Sequence, residues 1–144
     1  MKRIPPIKSV MTPFPYSVGR DDSLETARAM MAEHGIRHLP VIDGDKLASV
    51  IGQREIDLAQ EARSASSLPG PERVGDIALR GAYVVELTEP LDVVLSHMAD
   101  DLLDCAVVVK DGKLVGIFTT TDACRTFGTL LRELFPRGGG DEAA

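Results

Sequence analysis

The chain has 144 residues, enough for one domain or for two half-size units sharing a core, and its 44% apolar content with mean hydropathy near zero is that of an ordinary globular protein. No run of about 18 apolar residues is available to cross a bilayer. A net charge of −6 argues against a nucleic-acid polymer as partner, because duplex binding needs a clustered Lys/Arg face, yet it allows a small anion held by a few local cations.

In chain order, the N-terminus carries Lys2 and Arg3 but no apolar core of a signal peptide, so a cytoplasmic location is expected. From residue 7 the sequence begins a unit that it later repeats: residues 7–56 lie on residues 74–123 without a gap, at the constant offset of 67 that separates Leu24 from Leu91. Under that offset Tyr16 meets Tyr83, Val18 meets Val85, Met31-Ala32 meets Met98-Ala99, and Lys46-Leu47 meets Lys113-Leu114. Two copies of a unit this small are expected to pack face to face, with function at their seam.

Asp22-Ser23 followed by Glu25 reads as a capped helix start, with Leu24, Ala27 and Met31 at helical spacing. Leu39-Pro40-Val41-Ile42 reads as a buried strand, Asp43-Gly44-Asp45 as a turn, and Leu47 to Ile51 as the returning strand, before a second helix from about Arg54. Ala62 to Arg73, with its serines, Pro69, Gly70 and Pro71, has the composition of a linker. In the second copy Pro90 suits a first helical turn, and Leu91, Val94, Leu95, Met98 and Leu102 mark a buried stripe. Ala106 to Val109, Asp111-Gly112 and Leu114 to Phe118 repeat the hairpin, and a helix follows from about Thr121. The expected organisation is therefore repeat one over 7–60, linker 61–73, repeat two over 74–134 and a mobile tail 135–144. Cys105 and Cys124 stand in no metal-like spacing and read as small buried thiols.

Thr119 at a strand end and Asp122 at a helix start put a hydroxyl beside a carboxylate. An ionised carboxylate only accepts hydrogen bonds, so it suits a ligand with two adjacent donors, such as a ribose diol. The same two residues also make an N-terminal helix cap worth about 1 kcal/mol without any ligand. In the first copy Gly52 and Glu55 take these places, while Thr12 of that copy is matched by Leu79 and Arg37-His38 by Asp104-Cys105. Arg37 and His38 are the candidate phosphate-binding cations. Gly116 is read as permitting close backbone approach. Arg54 and Arg125 read as solvated. No nucleophile elbow, HExxH, P-loop or GxGxxG occurs, and His34, His38 and His97 share no ligand spacing, so neither an enzyme nor a metal site is expected.

Val10-Met11-Thr12-Pro13, Gly35 to Asp43 and Gly116 to Asp122, within a tandem repeat, resemble the CBS domain family, whose paired form is the Bateman module. The resemblance implies an α+β fold of two βαββα repeats related by a pseudo-two-fold, with clefts between them that bind AMP, ADP or ATP, and in some members S-adenosylmethionine. It implies that a site using the Asp of one repeat takes its Thr and its post-helix residues from the other, which here gathers Thr12, Ser17, Val18, Ile36, Arg37, His38, Thr119, Thr121 and Asp122. It also implies a non-catalytic sensor that requires no cofactor, acting as a homodimer on a regulated partner; a ligand-free interaction module is the alternative.

Overall fold

The repeat extends to the hydrogen-bond register. A computed structural model describes residues 2–138. After a 3-10 turn at Ile7–Ser9, the first repeat contains β1 (Thr12–Pro13), β2 (Val18–Gly19), α1 (Leu24–His34), β3 (His38–Asp43), β4 (Lys46–Gly52) and α2 (Gln53–Ala65). The second contains α3 (Val74–Ile77), β5 (Val84–Glu86), α4 (Leu91–Asp100), β6 (Cys105–Lys110), β7 (Lys113–Thr119) and α5 (Thr120–Leu134). The β3–β4 ladder runs from His38↔Gly52 to Asp43↔Lys46 with an irregularity after Val41, and the β6–β7 ladder runs from Cys105↔Thr119 to Lys110↔Lys113 with one after Val108. Every pair is displaced by the sequence offset. The fold is the expected α+β pair.

Local chemistry explains the elements. Ser23 caps α1 by accepting from the Thr26 amide at 3.0 Å, Leu24, Ala27 and Met31 are buried, and Gly35 ends the helix at φ 63°. Gly44 (φ 65°) turns the first hairpin, and Asp111 and Gly112 (φ 52° and 77°) turn the second. Val107 and Val108 are fully buried in β6, as Leu39 and Val41 are in β3.

The leading segments are exchanged between the repeats. The Ile7 and Lys8 amides donate to the Glu89 and Leu87 carbonyls, and the Val74 and Gly75 amides donate to those of Asp22 and Arg20, at 2.8–3.1 Å. Ile7 is thereby buried among Val85, Leu91, Val94 and Phe118, while Val74 and Ala78 complete a core of Val18, Leu24, Leu39 and Ile56. Each such fully buried aliphatic side chain is worth about 1.5–3 kcal/mol, so each core depends on residues of the other repeat. β1 follows Ile7 across and pairs antiparallel with β7, giving sheets ordered β1-β7-β6-β5 and β2-β3-β4.

Four expectations are corrected. α4 ends at Asp100, so Leu102 is 89% exposed and left-handed (φ 55°), taking the conformation that Gly35 has in repeat one, and Leu95 is also exposed. Pro90 is the N-cap of α4, not a residue of its first turn. α2 continues to Ala65, five residues into the expected linker, because Glu61, Ala62 and Arg63 still favour a helix and Arg63 pairs with Glu72 at 3.1 Å. Cys124 is exposed on α5, and only Cys105 is buried. Of the expected tail, residues 139–144 lie outside the described residues.

Tyr16 stacks on His34 with centroids 3.6 Å apart, and Tyr83 stacks on His97 at 4.1 Å. The tyrosines obey the repeat offset and the histidines do not: the place of His34 is taken by Asp101, the C-cap of α4, which pairs with His97 at 3.1 Å.

Candidate functional site

The end of β7 and the start of α5 build the polar centre. Thr119 caps α5, its hydroxyl accepting from the Asp122 amide at 3.3 Å, while Asp122 Oδ2 accepts from the Thr119 amide at 2.9 Å and from its hydroxyl at 3.2 Å. This reciprocal box fixes the carboxylate with only 9% of the residue exposed. The β1–β7 pairing, with Thr12 opposite Ile117, then carries Thr12 across from the first repeat, and its Oγ1 lies 3.5 Å from both carboxylate oxygens. Arg125, one turn along α5, places Nη1 3.3 Å from Oδ1.

The result is a nearly buried carboxylate addressed by hydroxyls from both repeats and by one exposed guanidinium. The Thr12 contacts sit at the long limit of hydrogen bonding, so another hydroxyl can replace them at little cost. A vicinal diol presents two donors to two such oxygens.

The other expected residues are less tightly gathered. Thr121 and Ser17 are exposed and make no side-chain hydrogen bond among the described residues. Val18 is buried in the first core and paired with Val41 of β3, so its side chain does not reach the centre, and Ile36 packs half-buried against that core. Arg37 is exposed, and its carbonyl accepts from the Gln53 amide at 2.8 Å. His38 opens β3, half-buried at the seam; burial lowers its pKa, opposed by the Asp104 carboxylate and aided by Arg37. It makes no hydrogen bond to Thr12, Thr119 or Asp122.

Gly116 makes room for a side chain of the first repeat. Met11, next to Thr12, fills the space above it, and a Cβ there would collide with Met11 Sδ. Arg125 was not among the candidate ligands; its spacing of three from Asp122 was the available signal.

The equivalent place in repeat one is chemically different. Gly52 offers no hydroxyl, Leu79 stands 79% exposed where the other site has Thr12, and the Ser49 hydroxyl, at the position of Gly116, donates to the Arg80 carbonyl. Burial raises the Glu55 pKa, with the Gly52 amide and Arg80 acting against it and Asp104 adding to it. The nearby Cys105 thiol is pushed up to about 12, chiefly by burial. Among the described residues, the Thr12–Thr119–Asp122 arrangement has no counterpart in repeat one.

Comparison with known proteins follows the same architecture. The CBS domain family model matches residues 7–61 and again 74–128. The solved CBS domain pair of protein MJ0100, in complex with 5′-methylthioadenosine and S-adenosyl-L-methionine, is 26% identical with a TM-score of 0.79, over 89% of this chain and 99% of that one. Hypoxic response protein 1 of Mycobacterium tuberculosis is 28% identical over 109 residues, covering 75% of each chain. Inosine-5′-monophosphate dehydrogenase of Thermoplasma acidophilum is 24% identical over 98% of this chain, which spans 26% of the length of that enzyme. Two matched repeats, in register and sharing their cores, make this chain a member of the CBS domain family, in its tandem-pair form.

Proposed function

We propose that this chain is a non-catalytic regulatory module that binds an adenine nucleotide, AMP, ADP or ATP, at the Thr12–Thr119–Asp122 centre. The observation that carries this reading is the Asp122 carboxylate, 9% exposed and reached by hydroxyls from both repeats. A ribose diol takes those oxygens, Thr121 and Ser17 add hydroxyls at the rim, and Ile36 with the Val18 backbone borders the adenosine. Arg37 supplies a phosphate-facing cation from the first repeat, and His38 adds a second one when it is protonated as pH falls. The adenosyl compounds held by the MJ0100 pair support the ligand class, and they keep S-adenosylmethionine as the second candidate.

Because Thr12 and Asp122 belong to different repeats, a ligand bridging them alters the balance between the two halves. Occupancy is read out through shape or assembly. The apolar stripe of Phe127, Leu131 and Leu134, each at least 40% exposed on α5, supports assembly as a homodimer, with a regulated protein as the further partner.

Calorimetry with AMP, ATP and S-adenosylmethionine on wild type, Asp122→Ala and Glu55→Ala tests the reading. Asp122→Ala is expected to weaken binding by about 2–4 kcal/mol, through loss of two charge-assisted hydrogen bonds, and to cost about 1 kcal/mol of helix capping. Glu55→Ala should bind like wild type. An Asp122→Ala protein with a lowered thermal midpoint and unchanged affinity would reduce Asp122 to a cap.

A further inference from the structure

Phe14 follows β1 with φ 46°, a left-handed conformation that is costly for any bulky residue. Its ring is 83% exposed, so packing does not repay that cost. Pro13 and Pro15 flank it with fixed φ, and its amide donates to the Val115 carbonyl at 2.9 Å, so the backbone that carries the ring is pinned to β7 beside Thr12. In repeat two the matching residue is Gly81, which is not left-handed and would have open space around a Cβ. The conformation that suits glycine is therefore held by a phenylalanine, and only in the copy whose leading segment carries Thr12.

We infer that Phe14 is a stacking residue for the flat base of the nucleoside whose ribose is held by Asp122. The inference rests on the adenosyl reading above. Phe14 lies two residues beyond Thr12, at most about 7 Å away along the chain, comparable with the separation of a ribose diol from its base. An aromatic face at that distance gives the base a partner that its π surface recognises. Backbone strain beside the site is then the condition for presenting the ring.

The chain has no tryptophan, so Phe14→Trp introduces a single reporter. Its emission should be quenched by adenosine and by AMP, with midpoints equal to the calorimetric ones. Phe14→Gly should raise the thermal midpoint by a few degrees while weakening adenosine and AMP alike by about tenfold, because the base is common to both. Phe14→Leu should weaken both ligands without the gain in midpoint, and Phe14→Tyr should retain affinity. Wild-type affinity in Phe14→Gly, or unmoved emission during a titration that releases heat, overturns the proposal. Unchanged affinity with lost self-association would overturn it in favour of a contact between copies. If wild type binds no adenosyl compound, the underlying reading fails and takes this one with it.

Discussion

Met11 of the first repeat lies directly against the backbone of Gly116 in the second: a Cβ built on Gly116 would collide with Sδ and come within 3.1 Å of Cγ. At the matching place Ala78 replaces Met11 and Ser49 replaces Gly116, so bulk and its absence have changed sides together. Gly116→Ala is expected to cost about 1–3 kcal/mol in urea unfolding. Met11→Ala made in that background should cost less than it does in wild type, because the collision is gone. Strictly additive effects would deny the contact.

Leu102 gives a prediction of opposite sign. Its left-handed backbone and exposed side chain predict that Leu102→Gly stabilises the protein by about 0.5–1 kcal/mol, the αL penalty less the added chain entropy of glycine. That is a rise of roughly 1–4 °C in thermal midpoint for a chain of this size. A fall would show that the Leu102 side chain stabilises something it does not touch here.

The exchanged segments make half-molecules incomplete. Residues 1–68 retain Leu24, Leu39 and Ile56 but lack Val74 and Ala78 of that core, and they expose Ile7. This fragment should be poorly folded or dimeric by sedimentation. A monomeric half that unfolds cooperatively would contradict the shared cores.

His38 predicts a pH dependence. Its folded pKa lies below the ordinary histidine value, so the folded state binds fewer protons than the unfolded chain. Its contribution to stability is full above about pH 6.5 and declines as pH falls through the ordinary value toward the folded one. His38→Gln should flatten the thermal midpoint against pH in that range. Glu55, raised by burial, works in the opposite sense: its contribution is present below the ordinary carboxylate range and is lost as pH rises through the folded value. If His38 faces phosphate, AMP should tighten relative to adenosine as pH falls, and His38→Gln should abolish that difference.

The two polar centres should bind unequally, with about one strong adenosyl ligand per chain by calorimetry. Two equal sites would remove the weight placed on Gly52, Glu55 and Leu79.

The sequence pattern was most legible where the physics is local. Ser23, Gly44 and Asp111-Gly112 announce their cap and turns, and the offset carries the ladders from one copy to the other. Leu102 was misread because the apolar period runs past the helix end, and a leucine conceals the stop that glycine marks in repeat one. The exchange of leading segments was invisible, since Ile7 and Val74 present the same apolar pattern whichever core receives them. At the site, Thr119 and Asp122 were readable from spacing, but their contact with Thr12 depends on β1 crossing to β7. Arg125 was passed over because a guanidinium one turn along a helix usually faces water.

The crossing of Ile7 and Val74 also decides how the halves meet. Neither repeat holds all the residues that close its own core, so each half is completed by the leading segment of the other. The link around residues 66–73 makes that exchange a contact within one chain, at an effective concentration set by the length of the link. Tethered copies need not be identical, so one end carries Thr12, Phe14 and Asp122 while the other carries Leu79, Gly81 and Glu55.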